Sequence, residues 1–153
     1  MTGDNERPAY ERGTGFLLAR LGSLTARSWT AFLTEHRLTQ AQYTVLVALQ
    51  QHGPVGQRRL AELVAMDARN IVPVLDSLAA GCLIERRPDD TDRRRRTITL
   101  TGGGNALLAA VADAAAVEQD QFLHALNATE RARLNHLLRR LYDSHIPEAP
   151  QPG

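Results

Sequence analysis

Between Ile84 and Thr101 the chain reads IERRPDDTDRRRRTITLT. Pro88, Asp89 and Asp90 are turn formers: proline pre-sets φ, and aspartate bonds to its own backbone. On either side, Leu83-Ile84 and Thr97-Ile98-Thr99-Leu100 carry the β-branched and apolar residues of short strands. The stretch therefore predicts a β-hairpin whose tip concentrates positive charge. Arg86, Arg87, Arg93, Arg94, Arg95 and Arg96 stand against Glu85, Asp89, Asp90 and Asp92. Four consecutive arginines cannot all be buried. Such a hairpin suits a phosphate backbone or a minor groove.

Upstream, Gly56 to Gly81 reads as two helices separated by a tight break, and a long helical pattern starts at Thr101. Two short helices followed by a basic hairpin make a winged helix-turn-helix. The expected fold class is mainly α with a small β-hairpin wing and long dimerisation helices.

The 153 residues allow one domain with dimerisation arms. Apolar residues make up 43% of the chain, enough for a core, and the net charge is only +1. A nucleic-acid surface must then come from segregation of charge, which the wing supplies. Every basic residue besides histidine is arginine, whose planar guanidinium binds in a bidentate manner. One cysteine, Cys82, cannot form an intramolecular disulfide and is expected to be a small buried thiol. The polar start MTGDNERPAYERG has no apolar signal core, and no apolar run approaches spanning length. A cytoplasmic location is expected.

Taken in order, residues 1–13 predict a loose arm. Leu17, Leu21, Leu24, Trp29, Phe32 and Leu33 recur at helical spacing over 14–36. Thr39 with Gln42 forms a capping box for a helix that stops before Gly53-Pro54. Val55-Gly56 opens a helix from Gln57 to about Val64. Asp67 is the expected N-cap of a helix from Ala68 to Ala80, with Ile71, Val74, Leu75 and Leu78 inward, Arg69 and Asn70 in its first turn, and Gly81 as C-cap. Pro73 is expected to break one bond of that helix. Thr101 caps a helix of about Gly102 to Ala125, weakened at its start by Gly102-Gly103-Gly104. Asn127 and Glu130 form a second capping box, for a helix striped by Leu134, Leu137, Leu138 and Leu141. Pro147, Pro150 and Pro152 end regular structure, leaving 147–153 loose.

Across roughly 14–146 these residues resemble the MarR family of bacterial winged helix-turn-helix transcription regulators. The family's wing signature, Asp-x-Arg, five residues, then Leu-Thr, stands here as Asp92 to Thr101, with Gly104 matching the glycine that follows. Leu38-Thr39, Gln42, Val45-Leu46, Leu60-Ala61, Asp67, Asp76 and Leu78 match the family's helices. In two places the chain departs: Pro73 stands where a polar side chain is common, and Gly81 stands one place before the expected glycine. The resemblance implies a homodimer of interlocked helices, 14–36 and 102–146, carrying two DNA-binding lobes, 39–101, on a pseudo-palindromic operator in double-stranded DNA. It implies that Arg94 enters the minor groove, oriented by an ion pair with Asp92. It also implies a repressor released by a small phenolic or anionic effector.

In a helix-turn-helix, early residues of the second helix meet base edges, where arginine pairs with guanine and asparagine with adenine. The expected DNA-contacting set is Arg58, Asp67, Ala68, Arg69, Asn70, Asp92, Arg93, Arg94 and Arg95. Trp29, His36, Tyr43 and His52 are the candidates for an effector pocket; the bland alternative is that these aromatics are core. The five histidines show no compact ligand spacing, so no metal or cofactor is expected. No nucleophile, base and orienting acid can be grouped, so no enzyme is expected. A winged-helix protein-interaction module without DNA binding and a redox-responsive repressor using Cys82 are the alternatives.

Overall fold

The computed structural model describes residues 6–145. Six helices and three strands run in the order α1 (Thr14–Glu35), α2 (Gln40–His52), β1 (Val55–Gly56), α3 (Gln57–Leu63), α4 (Ile71–Ala80), β2 (Ile84–Pro88), β3 (Arg96–Leu100), α5 (Gly102–Phe122) and α6 (Ala128–His145). This is a mainly helical winged helix-turn-helix. The chain forms two compact units, one up to Val111 and one from Ala112 onward. Among the described residues no helix is long and apolar enough to cross a membrane.

In the first unit the core takes one or more fully buried side chains from each principal element: Leu33, Leu46, Leu60, Leu75 and Ile98 are at most 1% exposed. Truncating such a leucine to alanine costs about 2–5 kcal/mol. No polar side chain is buried with them among the described residues. The expected Thr39–Gln42 capping box is present: Thr39 Oγ1 accepts the Gln42 N–H at 3.1 Å, and Gln42 Oε1 accepts the Thr39 N–H at 2.9 Å.

The wing is a three-stranded sheet and not the expected simple hairpin. Val55-Gly56, expected to open α3, instead pairs antiparallel with β3, which makes β3 the central strand. β2 pairs along the other edge of β3, with Ile84 opposite Leu100, Arg86 opposite Ile98 and Pro88 opposite Arg96. Pro88 thus ends an edge strand, where its missing N–H costs nothing.

α4 begins three residues later than expected. Asp67 Oδ1 accepts the Arg69 N–H at 2.8 Å, and the Asp67 carbonyl accepts from both Asn70 and Ile71. Pro73 has no N–H to give the Arg69 carbonyl, so regular helical bonding starts only at Ile71. Pro73 becomes the third residue of α4, within the first turn, where N–H groups have no intrahelical partner. The expected internal break is therefore a helix boundary.

The ends of α1, α3 and α4 share one geometry. At each, a residue in the left-handed region follows the cap: Arg37 (φ 58), Ala65 (φ 52) and Cys82 (φ 57). The next N–H reaches back five residues, from Leu38 to Leu33, Met66 to Ala61 and Leu83 to Leu78. This is the Schellman arrangement, ordinarily built on glycine. Gly81 is the C-cap of α4, as expected, but has φ −80 and takes no left-handed turn. Cys82 takes that turn and is exposed, correcting the expected buried thiol.

The arm is not wholly loose: Ala9–Arg12 form a 3-10 turn, and Tyr10 packs edge-on to Phe16 at 5.8 Å. The expected loose tail 147–153 lies outside the described residues. In the second unit α5 ends at Phe122, short of the expected Ala125, and the Asn127–Glu130 capping box is present at 3.0 and 2.8 Å. Arg131 joins α6 to α5 through Asp120 at 3.0 Å and to the connection between them through the Leu126 carbonyl at 2.9 Å. No residue of α6 is buried; Leu137, Leu138, Leu141 and Tyr142 are 39–56% exposed.

Candidate nucleic-acid interface

The wing tip is shaped by two aspartates acting on backbone. Asp89 Oδ1 accepts the Thr91 N–H and hydroxyl, each at 2.9 Å. The Thr91 N–H, then the hydroxyl, then the charge of Arg95 hold the Asp89 carboxyl below its ordinary pKa. Asp92 Oδ1 accepts the Arg94 N–H at 3.0 Å, and the Asp92 carbonyl accepts the Arg95 N–H at 2.9 Å. The expected Asp92–Arg94 ion pair is absent. Asp92 Oδ2 instead faces Arg95 Nε at 3.9 Å. A carboxylate bonded to the backbone N–H two residues on is committed to a tight turn, and the Arg94 side chain is left outside it.

The six wing arginines divide accordingly. Arg86 alternates onto the face of β2 that carries buried Ile84, so its half-buried guanidinium needs a partner, and it bonds Asp76 on α4 at 2.8 Å. Arg87 pairs with Glu85. Arg93 and Arg94 at the tip, and Arg96 on β3, make no ion pair among the described residues. The tip charge is thus narrower than expected: Arg86 and Arg87 belong to the sheet, and the unpaired cations lie between positions 93 and 96.

Asp67, Ala68, Arg69 and Asn70 are all exposed and lie in the turn preceding α4, not in its first turn. Arg69 has no ion pair among the described residues. Arg58 is on α3, its side chain 94% exposed, loosely paired with Glu62 at 3.7 Å. Both groups of exposed guanidinium groups stand in the winged lobe.

Of the effector-pocket candidates, the fold brings three together. Trp29 stacks on Phe32 at 5.3 Å and meets Tyr43 edge-on at 5.1 Å; Phe32 lies against His36 at 4.4 Å. Trp29 Nε1 donates to Gln40 Oε1 at 2.9 Å. His36 Nδ1 lies 2.9 Å from the Phe32 carbonyl, which can only accept, so Nδ1 carries the proton. His52 does not join them. It is exposed at the far end of α2, nine residues from Tyr43, about 13 Å along the axis. An open depression along α1 is lined by Ser23, Ala26, Arg27, Thr30 and Ala31 and by none of the four.

Two polar contacts were not foreseeable from local patterns: Asp76 with Arg86, and Gln42 Nε2 with Ser77 Oγ at 2.9 Å. The one available signal was an exposed helix face whose polar residues are short, Asp76-Ser77, rather than long and solvated.

Residues 38–95 match the model of the MarR family. The transcriptional repressor NicR of Pseudomonas putida is 37% identical over 108 residues, covering 71% of this chain and 68% of NicR. Among solved structures, the PcaV transcriptional regulator of Streptomyces coelicolor is 30% identical, with a TM-score of 0.65 over 86% of this chain and 96% of that one. Bordetella bronchiseptica BpsR, whose DNA binding is regulated by 6-hydroxynicotinic acid, is 29% identical, with a TM-score of 0.60 over 84% of this chain and 98% of its own. The wing signature, the helix order and these likenesses agree: the chain belongs to the MarR family and is a DNA-binding transcription regulator.

Proposed function

We propose that the protein is a homodimeric repressor that binds a pseudo-palindromic operator and is released by a small phenolic or anionic effector. The observation that carries this reading is the wing tip, where Asx-type turns at Asp89 and Asp92 present Arg93 and Arg94 without carboxylate partners. In this reading Arg69 and Asn70 meet base edges, Arg58 meets phosphate, and Arg93, Arg94 and Arg95 follow the minor groove. Asp67 and Asp92 shape the backbone beneath them, and Ala68 lets the turn approach the duplex.

Dimerisation is assigned to 14–36 and 102–146, and DNA binding to 39–101. Exposed Leu17, Leu18 and Leu21 on α1, and Leu137, Leu138 and Leu141 on α6, support the first assignment, because exposed apolar residues grouped on a helix mark an interface. The repressor assignment follows NicR, and the effector class follows 6-hydroxynicotinic acid at BpsR. The aromatic group of Trp29, Tyr43 and His36 offers ring faces and one imidazole to such a compound.

Light scattering and duplex titration test this together. A dimer at micromolar concentration is expected, binding a duplex enriched from a random library and losing it when 6-hydroxynicotinic acid or a simple phenolic acid is added. A monomer that enriches no duplex overturns the proposal; a dimer indifferent to every such acid overturns the effector alone.

A further inference from the structure

α4 rests on its lobe through Ile71, Leu75 and Leu78, each at most 1% exposed. Apolar burial holds a helix down but is non-directional, so by itself it defines rotation about the helix axis weakly. Two polar ties on adjacent residues of α4 supply the direction. Ser77 Oγ accepts from Gln42 Nε2 at 2.9 Å, while Gln42 Oε1 is held by the Thr39 N–H of the α2 capping box. Asp76 Oδ1 accepts from Arg86 of β2 at 2.8 Å. Consecutive helix residues point about 100° apart, so the ties restrain rotation in different directions, and each is anchored in a separate element.

The consequence is geometric. A helix with its side chains is about 10–12 Å across, so a rotation of about 10° carries a side-chain tip about 1 Å sideways. That is enough to lose a hydrogen bond to a base edge, while a contact to diffuse phosphate charge survives it.

We propose that Gln42 and Arg86 are positioning residues for DNA discrimination: through Ser77 and Asp76 they fix the rotation of α4, and with it the Asp67–Asn70 turn, relative to the wing. The proposal rests on the assignment of that turn and the wing as the DNA-reading surfaces. Neither Gln42 nor Arg86 needs to touch DNA to act in this way.

Asp76 separates positioning from simple charge by sign. Asp76→Ala removes a negative charge from a DNA-binding lobe together with the oxygen that accepts from Arg86. If charge alone mattered, every duplex would bind more tightly with preference unchanged. If the tie positions α4, preference for the selected duplex falls although the charge has become more favourable.

The test uses the full chain, a duplex enriched by wild-type protein from a random library, and a scrambled version of it. Affinities are measured at several salt concentrations for wild type, Ser77→Ala, Ser77→Thr, Asp76→Ala and the double variant Gln42→Ala/Ser77→Ala. Ser77→Ala and Asp76→Ala should each reduce the ratio of selected to scrambled affinity by about 3–10-fold, the scale of one hydrogen bond, with the salt slope unchanged. Ser77→Thr keeps the hydroxyl and should keep the ratio. The double variant should reduce it no further than Ser77→Ala. Alanine at an exposed helix position does not destabilise, so the melting point of Ser77→Ala should hold. An unchanged ratio in both single variants overturns the proposal, as does a parallel loss on both duplexes with a lowered melting point. A wild type that enriches no duplex overturns the DNA-reading assignment itself.

Discussion

The backbone of Gly104 runs so close to the carbonyl of Leu83 that a Cβ at Gly104 would overlap the Leu83 oxygen and lie 2.9 Å from Leu100 Cδ2. Thr101 sets this approach. Its hydroxyl donates to the Cys82 carbonyl at 2.6 Å and accepts the Gly104 N–H at 3.0 Å, and its own N–H donates to the Leu83 carbonyl at 3.1 Å. The threonine and the glycine three residues on therefore close the wing onto the start of α5. Gly104→Ala gains helix propensity of about 1 kcal/mol but forces backbone apart, and a net loss of about 1–3 kcal/mol is expected. At Gly102 a Cβ meets open space, so Gly102→Ala should stabilise by about 0.5–1 kcal/mol. Thermal denaturation should move the two melting points in opposite directions; a rise for both would show that α5 can back away from Leu83.

Cys82 holds the left-handed position that ends α4, with φ 57, while Gly81 beside it has φ −80. The glycine is on the wrong side of the turn. Left-handed backbone costs a non-glycine residue about 1–2 kcal/mol, part of which glycine returns in unfolded-state entropy. Cys82→Gly should stabilise by about 0.5–1 kcal/mol, and Gly81→Ala on that background should be tolerated, since its Cβ would make only ordinary contacts, the nearest at 3.6 Å. Chemical denaturation checks both. A destabilised Cys82→Gly would mean that the thiol contributes contacts outweighing the turn strain.

What was legible in the sequence was whatever is encoded within a few residues. α1 shows itself through the spacing of Leu17, Leu21, Leu24 and Phe32, and both capping boxes, Thr39–Gln42 and Asn127–Glu130, are patterns four residues long. β1 was not legible because two residues carry no period, and Val55 owes its strand character to Ile98, far along the chain. The start of α4 was misplaced because Asp67 can cap a helix or close a turn with equal chemistry, and the missing N–H of Pro73 settles which. The family resemblance implied that Arg94 pairs with Asp92, but a short carboxylate reaches the backbone N–H two residues on before it reaches a long guanidinium. The Gln42–Ser77 tie spans 35 positions and leaves no local trace.

Asp89 offers a test by pH. Its carboxyl is held below the ordinary 3.8, first by the Thr91 N–H and then by the Thr91 hydroxyl. A depressed folded pKa means that the stability it contributes is fully present above the unfolded value and is lost as pH falls through the lower folded value. Carbon-detected NMR should place the Asp89 midpoint below 3.8. Thr91→Val removes only the hydroxyl, so the midpoint should move part of the way back. A wild-type midpoint at or above 3.8 would show that the tip does not hold this turn in solution.

Asp92 is a turn acceptor and also a negative charge, which in the proposed binding mode lies beside DNA, and the two separate by substitution. Its Oδ1 holds the Arg94 N–H at 3.0 Å, and its charge is 3.9 Å from Arg95 Nε. Asp92→Asn keeps an acceptor of the same shape, and asparagine makes the same turn, so the tip persists while one repulsive charge disappears. All duplexes should then bind more tightly, most clearly at low salt. Asp92→Ala removes the charge and the acceptor together. Its tip opens, and, with Arg94 in the minor groove as proposed, preference for a narrow A·T groove should fall even as nonspecific binding holds. Arg94→Ala removes the cation itself, so affinity falls on every duplex and the plot of log affinity against log salt flattens by about one unit. Titrations of the three variants on A·T-tract and mixed duplexes at several salt concentrations distinguish them. If Asp92→Asn weakens binding in the manner of Arg94→Ala, then a carboxylate charge on Arg94, and not the turn beneath it, is what presents the arginine to DNA.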